Sequence, residues 1–583
     1  MAYSKSKIFI SISKKKLPLK NYIKIKNKYL YSFTKLNENK NFFFFFIKID
    51  QSRINSTKIL NKLYQNKYFL EQDCCLFTVS KKDGNIIFYR DRFGQVPIYY
   101  FSNKDHKVIT DDPRLIKSLK IDNLKADLYQ NALFVGSHYR YHYLSNHCSF
   151  YKNVKTLKNG HLIEIKNNRI INKKYWDLEL KLQPLSKNID NKIYHDFRYL
   201  LSKSIESKIN RNSKKVFTLS SGIDSSSVIS IYKKIYNEKV HAVTTSFNEK
   251  TEYDETKDIN TIKKEKCKKW SKIIIEKNQI LKHMNIYLEY SPIPFCTITQ
   301  LLHGILLEKL NLEIKSQICI SGLGGDEVNC GEIEEYIFFF ADLIKIYGLN
   351  FNSTFIKKNL NGWIKHHGTN EYPKNLKVLK QEFERFLDVK KKGHNKLPSD
   401  RYYLYIDAFN KNFSKKYFKK YMLPNKYNSH LHNKIDQDLF IEAIPPALYA
   451  EYYNSQFYKV KTIRPYLDES LMKFGISSPH SIKYKNGYTK NLARKSLKNI
   501  LPNDVIKNKK KVGWNAPFDI WLRDSIKEKV DEIIESNNKR ICKIYNKIFI
   551  KKVLNEHLSG TKNHMLFFWN LINYENWYKK NFE

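Results

Sequence analysis

Short runs of β-branched and aromatic residues punctuate the first third of the chain. Lys7–Ser13 (KIFISIS), Phe42–Ile49, Cys75–Ser80, Ile86–Arg90 and Leu162–Ile165 are such runs, and turn signals such as Asp83-Gly84-Asn85 and Lys158-Asn159-Gly160 separate them. The pattern predicts strands joined by tight turns, so residues 1–178 read as a mainly antiparallel sheet domain with a few helices. From residue 191 the pattern lengthens to helical periods, with buried strands expected at 216–219, 240–245 and 317–320. Residues 191–583 therefore read as an α/β unit, a class in which ligands sit at the carboxyl ends of the strands. The stretch 332–460 is rich in Lys, Tyr and Phe and helical in period. It reads as a helical substructure packed on the α/β core.

One strand-to-helix passage carries candidate chemistry. Val216-Phe217-Thr218-Leu219 is followed by the small polar loop Ser220-Ser221-Gly222-Ile223-Asp224-Ser225-Ser226. Val228, Ile231, Tyr232 and Ile235 then fall at i, i+3, i+4 and i+7, one apolar face of a helix. Such a loop aims backbone N–H groups at one spot, backed by the positive end of the helix dipole, and so makes a phosphate site. An ordinary turn capped by Ser and Asp has the same local sequence. Asp224 tips the reading, because a carboxylate beside bound phosphates makes sense as a Mg²⁺ ligand. No Gly-Lys-Ser/Thr closes the loop, so it is not a Walker P-loop.

Composition bounds the rest. A chain of 583 residues is expected to hold two or more domains, and 42 % hydrophobic with 14 % aromatic residues suffices for packed cores. The net charge of +47 comes from 104 Lys+Arg against 57 Asp+Glu. The excess is mostly Lys, spread from end to end beside abundant Asn, Ile and Tyr, which reads as a compositional bias and not as a nucleic-acid surface. The eight cysteines include no CxxC pair, so neither a zinc site nor a disulfide framework is expected. The N-terminal MAYSKSKIFISISKKK is not a secretory signal, and the longest apolar run, Phe42–Ile47, is far short of the ~20 residues that span a bilayer. A soluble cytoplasmic enzyme without membrane partners is the expectation.

Further stretches, read in order, carry a resemblance. Ser220, Gly222, Asp224 and Ser225 match the SGGxDS pyrophosphate-binding signature of the AMP-forming ATP pyrophosphatases, with Ser221 in place of its first Gly. Tyr89–Tyr100 (YRDRFGQVPIYY) is similar to the RDRFGxxPLYY segment of asparagine synthetases, and Leu157–His161 with Tyr175-Trp176 to their LPPGH…YW. Ser321–Glu327 (SGLGGDE) resembles SGEGADE, Arg464–Asp468 (RPYLD) resembles RxPFLD, and Lys509–Pro517 with Trp521-Leu522 resembles RKKxGFGxPxxxWL. The chain is identified as a member of the asparagine synthetase-like superfamily. That resemblance implies an N-terminal Ntn-hydrolase-like, glutamine amidotransferase-type sandwich and a C-terminal doubly wound α/β ATP-pyrophosphatase domain. It also implies ATP and Mg²⁺. Ser220, Gly222, Ser225 and neighbouring amides would hold pyrophosphate, Asp224 and Asp326 would reach the metal, and Leu219, Thr245, Ser321 and Gly322 would line the adenosine pocket. The glycines of SGLGGDE would let backbone approach the nucleotide.

Departures from the family pattern narrow the expectation. A working glutaminase needs Cys at position 2, where this chain has Ala2, and the family's RGPD and NGEIYN segments are missing from residues 20–70. Cys74 and Cys75 read as core. The first domain is then a scaffold without glutaminase chemistry. Leu323 stands where asparagine synthetases carry the Glu of SGEG, which puts aspartate as substrate in doubt. The resemblance points to the branch of lasso-peptide macrolactam cyclases and β-lactam-type synthetases, with a peptide or small amino-acid carboxylate as substrate. A leader-peptide-binding protein and a protease are the partners that branch implies, and ammonia-dependent asparagine synthesis is the alternative. Lys511, two residues before Gly513, matches the catalytic lysine of the β-lactam-type enzymes, with Lys510 as its neighbour by a one-residue slip and Lys509 expected to face solvent. His138, His142, His147 and Cys148 read as packing residues in preference to metal ligands, and Asp254-Glu255 as a helix cap or a substrate-side pair.

Overall fold

The runs of the first third pair into two antiparallel sheets. The computed structural model describes residues 8–17, 19, 22–25, 28–48, 50–51, 54–64, 73–137, 149–181, 190–249, 251, 253–333, 335–367, 375, 377–378, 381, 405–418, 425–509, 513–521, 523 and 525–583. One six-stranded sheet runs in the order Lys155–Thr156, Tyr99–Ser102, His106–Thr110, Phe9–Ser13, Lys28–Ser32 and Tyr22–Ile25. The other runs Arg169–Lys174, His161–Lys166, Ile86–Tyr89, Cys74–Ser80, Phe42–Lys48 and Asn37–Glu38. Phe9, Ile10 and Val108 from the first share one core with Phe45, Phe77, Phe88 and Ile163 from the second, so the sheets form a sandwich. Cys74 and Cys75 lie fully buried within it. The histidine-rich stretch His138–Cys148 lies outside the described residues.

The α/β unit is organised by a five-stranded parallel sheet. Its order is Cys267–Ile275, Val240–Phe247, Val216–Thr218, Ile318–Ile320 and Lys461–Ile463. Counted in sequence, that is 3-2-1-4-5, so the strand order reverses between Val216–Thr218 and Ile318–Ile320. Alternate residues on these strands enter different cores. Val216, Val243 and Cys319 pack with the helices Lys277–Tyr290, Ile298–Leu312 and Ile444–Tyr458. Phe217, Ala242 and Ile320 pack with Lys192–Lys208 and Ile223–Tyr236. Helices therefore cover both faces, as in a doubly wound sheet, and the crevice at the switch point is where such folds bind ligands.

Helices Glu335–Lys345, Thr354–His367, His430–Phe440 and Ile444–Tyr458 occupy the stretch expected to be helical. The sandwich and the α/β unit are fastened together at many points. Tyr452 Oη donates to Asp111 Oδ2 at 2.7 Å, and Tyr453 Oη to the Asp111 carbonyl at 2.8 Å. Helix Met565–Phe582 reaches back to the sandwich: Trp577 meets the Phe150 ring at 5.4 Å and Tyr574 the Phe134 ring at 6.4 Å, while Trp577 Nε1 donates to the Pro292 carbonyl at 2.7 Å. Among the described residues no helix is long and apolar enough to cross a membrane.

Candidate active site

Two loops leave the carboxyl ends of the strands that flank the switch point. The strands are in parallel register, Val216 with Cys319 and Phe217 with Ile320. The loops touch because the second one carries glycines. A Cβ on Gly322 would lie 2.8 Å from the Ser225 backbone nitrogen, and one on Gly325 would lie 2.4 Å from Asp224 Cγ. Gly324 adopts φ +93°, a left-handed conformation that side chains resist. The glycines of SGLGGDE thus bring backbone against the first loop, a closer neighbour than the nucleotide expected from the sequence.

The first loop is ordered by its own hydroxyls. Ser225 Oγ accepts from the Ser220 N–H at 3.0 Å and lies 2.9 Å from Ser220 Oγ, which itself accepts from the Gly222 N–H at 3.2 Å. Leu219 N–H donates to the Val243 carbonyl at 2.8 Å, and Thr244 Oγ1 donates to the Leu219 carbonyl at 2.8 Å. Ser221 is accommodated without a positive φ. Its hydroxyl donates to Glu255 Oε1 at 2.5 Å, so Glu255 is tied to the loop. Asp254 instead caps its own turn, accepting from Thr256 N–H at 2.9 Å and Ser246 Oγ at 2.7 Å.

Asp224, in the first turn of helix Ile223–Tyr236, and Asp326, in helix Gly325–Asn329, converge on one cation. Lys490 Nζ contacts Asp224 Oδ2 and stands 2.6 Å from Asp326 Oδ1. Lys490 sits at φ +54°, a costly conformation for a lysine, at the N-terminus of helix Asn491–Ser496. Gly331 leaves room for it: a Cβ there would fall 2.0 Å from Asp326 Oδ1 and 2.4 Å from Lys490 Cε. The surrounding contacts, a glycine and two acids, hold Lys490 in this conformation.

These groups line one cavity of about 270 Å³. Its walls include Leu219, Ser220, Gly222, Asp224, Ser225, Thr245, Ser321, Gly322 and Asp326, so the residues that the resemblance assigns to nucleotide and metal are brought together. Leu323, Glu255, Glu451, His303, Arg494, Lys509 and Trp514 line it as well. Trp514 Nε1 donates to Thr245 Oγ1 at 2.8 Å. Burial pushes the His303 imidazole down to about 4, which keeps it neutral, and pushes Arg494 down to about 10. Lys509 does not face solvent: its Nζ lies 2.5 Å from His366 Nε2 and 4.1 Å from the centre of the Tyr488 ring. Lys510 and Lys511 lie outside the described residues.

Comparison with known proteins gives the family. The sequence model described as asparagine synthase matches residues 196–579, more than half of the chain. The chain belongs to the asparagine synthase family. A second sequence model, for glutamine amidotransferase domains, matches residues 71–176, within the sandwich. The chain is 29 % identical over 119 residues to asparagine synthetase (glutamine-hydrolyzing) 1 of Bacillus subtilis, covering 20 % of this chain and 18 % of that one. It is 25 % identical over 213 residues, 34 % of this chain and 39 % of the other, to a Methanocaldococcus jannaschii protein named provisionally as asparagine synthetase (glutamine-hydrolyzing) 2. Both matches thus span less than half the length of these relatives. A solved structure titled as the allosteric regulatory enzyme of purine biosynthesis is 8 % identical, with a TM-score of 0.14 over 41 % of this chain and 62 % of that chain.

In this asparagine synthase-family chain the sequence singled out both acids but passed over Lys490. Its signal is slight: Lys490 is one lysine just before the short helix Asn491–Ser496, in a chain with 104 Lys+Arg.

Proposed function

We propose that the protein is an ATP-dependent, AMP-forming amide synthetase that adenylates a carboxylate and couples it to an amine not drawn from glutamine. The observation that carries this reading is the meeting of Asp224, Asp326 and Lys490 in one cavity at the switch point of the sheet. ATP would lie with its phosphates over the Ser220–Ser225 loop and its nucleoside against Leu219, Thr245, Ser321 and Gly322. Mg²⁺ would be held by Asp224 and Asp326 and would neutralise triphosphate charge. The donor set suits it: two carboxylates, Asp224 and Asp326, converge in the cavity beside the phosphate loop. Mg²⁺ is characteristically bound by one or two carboxylates together with substrate phosphates.

The reaction balances in two steps. A substrate carboxylate oxygen attacks the α-phosphorus and the bond to pyrophosphate breaks. An amine nitrogen then attacks the acyl carbon, the bond to AMP breaks, and the nitrogen loses a proton. Lys490, released from Asp224 and Asp326 as the metal takes them, would meet the negative charge that grows on phosphate and on the tetrahedral oxygen.

The amine is assigned away from glutamine because Cys74 and Cys75 are buried in a strand and burial pushes both thiols up, the reverse of an activated nucleophile. Our preferred acceptor is an amine on the substrate itself, as in a lasso-type peptide macrolactam cyclase, where an intramolecular attack gains from proximity. A leader-peptide-binding protein and a protease would be its partners. Leu323 on the cavity wall supports the departure from aspartate. The second reading is ammonia-dependent asparagine synthesis; the relatives' names support asparagine as the product, although they name glutamine hydrolysis as the nitrogen source. Pyrophosphate release measured with candidate peptides, β-amino acids, and aspartate plus ammonium tests both. Release with peptide supports the cyclase, release with aspartate and ammonium supports the second reading, and release with none refutes the proposal.

A further inference from the structure

A chain of buried polar contacts runs from the sandwich to the cavity wall. Gln95 follows the Tyr89–Gly94 segment of the sandwich. Its backbone N–H donates to Asp91 Oδ2 at 2.6 Å, and its Nε2 donates to Asp73 Oδ2 at 3.1 Å. Its Oε1 accepts from Arg464 Nη1 at 3.0 Å. Arg464 in turn grips Glu451: Nε donates to Glu451 Oε2 at 2.6 Å and Nη2 contacts the same oxygen. Glu451 lines the cavity beside His303, Cys319 and Thr462. Gln95, Arg464 and Glu451 are 7 %, 8 % and 8 % exposed, so water cannot stand in freely for any of these contacts.

A buried guanidinium–carboxylate pair keeps its geometry only when its remaining protons find acceptors. Apart from Gln95, Nη1 of Arg464 reaches the Thr462 carbonyl, at 3.3 Å. With Gln95 gone, Nη1 keeps only the longer Thr462 contact, and the Arg464–Glu451 pair can shift as a unit. We propose that Gln95 is a positioning residue: through Arg464 it holds Glu451 in the wall of the synthetase cavity. The sandwich then has a part in the cavity that needs no nucleophile of its own.

Cys319 reports on that wall. It is 1 % exposed, lines the same cavity, and its thiol is pushed up to about 12 by burial first and by the Glu451 charge second. The experiment compares iodoacetamide labelling of the full-length wild type and Gln95→Leu, resolved by peptide mass spectrometry. Cys319 is expected to label about three- to thirtyfold faster in the variant, the range of a modest coupling between sites. Cys296 and Cys330, buried elsewhere, are expected to keep their rates. Cys319 labelling at the wild-type rate would overturn the proposal. So would equal acceleration of all three thiols, which would mark Gln95 as a general structural residue. Arg464→Lys keeps the charge and loses the fork; it is expected to give the same selective pattern and decides the matter where Gln95→Leu does not fold.

Discussion

A methyl group on the α-carbon of Gly325 would stand 2.4 Å from the carboxyl carbon of Asp224. The second loop therefore sets how far the Asp224 carboxylate can move. Gly325→Ala is expected to displace that carboxylate and lower pyrophosphate release roughly 10–100-fold, the usual effect of disturbing groups that orient a metal ligand. Asp224→Ala and Asp326→Ala are expected to abolish release with the fold intact, checked by circular dichroism. Normal turnover in Gly325→Ala would show that the contact is not needed.

Lys490 and Lys511 make competing claims to the role of catalytic cation. Loss of one oxyanion donor costs roughly 10²–10³ in rate. Amide formation is expected to fall by about that factor in Lys490→Ala, and less in Lys509→Ala, whose ammonium rests against His366 and Tyr488. Lys510→Ala and Lys511→Ala complete the series, with ATP–pyrophosphate exchange measured beside product. A larger loss in Lys511→Ala than in Lys490→Ala would return the role to the lysine that the resemblance picks out.

Glutamine is expected not to serve as nitrogen donor. Cys74 and Cys75 are fully buried with their thiols pushed up. Glutamate release from glutamine by the purified protein should equal the background without enzyme, and turnover above it would restore a glutaminase to the sandwich.

Glu335 gives a pH signature. It is 1 % exposed, and burial pushes its carboxyl up to about 8, although Lys434 opposes the shift. Asp438 and Glu332 add to the rise, and Tyr484 Oη donates to Glu335 Oε2 at 2.8 Å. The folded protein thus keeps a proton that the unfolded chain releases near its ordinary value. Stability from this group is full below that value and falls as pH rises toward about 8. Glu335→Gln keeps the acceptor and removes the titration. In urea unfolding at about pH 5 and about pH 8 it is expected to lose less stability than wild type, by on the order of a few kcal/mol. Equal losses would place the charge elsewhere.

Legibility along the chain follows burial. The strand at Val216–Thr218 and the one at Ile318–Ile320 are mostly apolar and followed by loops of small residues, and both were readable in the sequence. Cys267–Ile275 was not, because it is an edge strand whose Lys268, Lys269 and Lys272 break the apolar pattern, with Ile273 and Ile275 its buried residues. Lys461–Ile463 was not either, because Ile463 is its single apolar residue beside Lys461 and Thr462. In the site, Asp224 and Asp326 stood out because loops of small residues surround them. Lys490 did not, because its distinction is a backbone angle and the space above Gly331, and neither is written in local composition. Glu255 was half legible: its position after a strand was visible, its bond to Ser221 was not.

The reach of helix Met565–Phe582 back to Phe134 and Phe150 has a consequence for biosynthesis. Ribosomes deliver residues in order, and the sandwich emerges first. Its helix Leu128–Gly136 cannot meet Tyr574, or Tyr545, whose hydroxyl lies 3.4 Å from Asn131 Oδ1, until more than four hundred further residues have been made. During that interval an aromatic surface of the nascent sandwich stays uncovered, the kind of surface that nascent-chain chaperones shield. A ribosome stalled before residue 565 would therefore display a sandwich that chaperones hold, and one stalled well past residue 583 a chain they release.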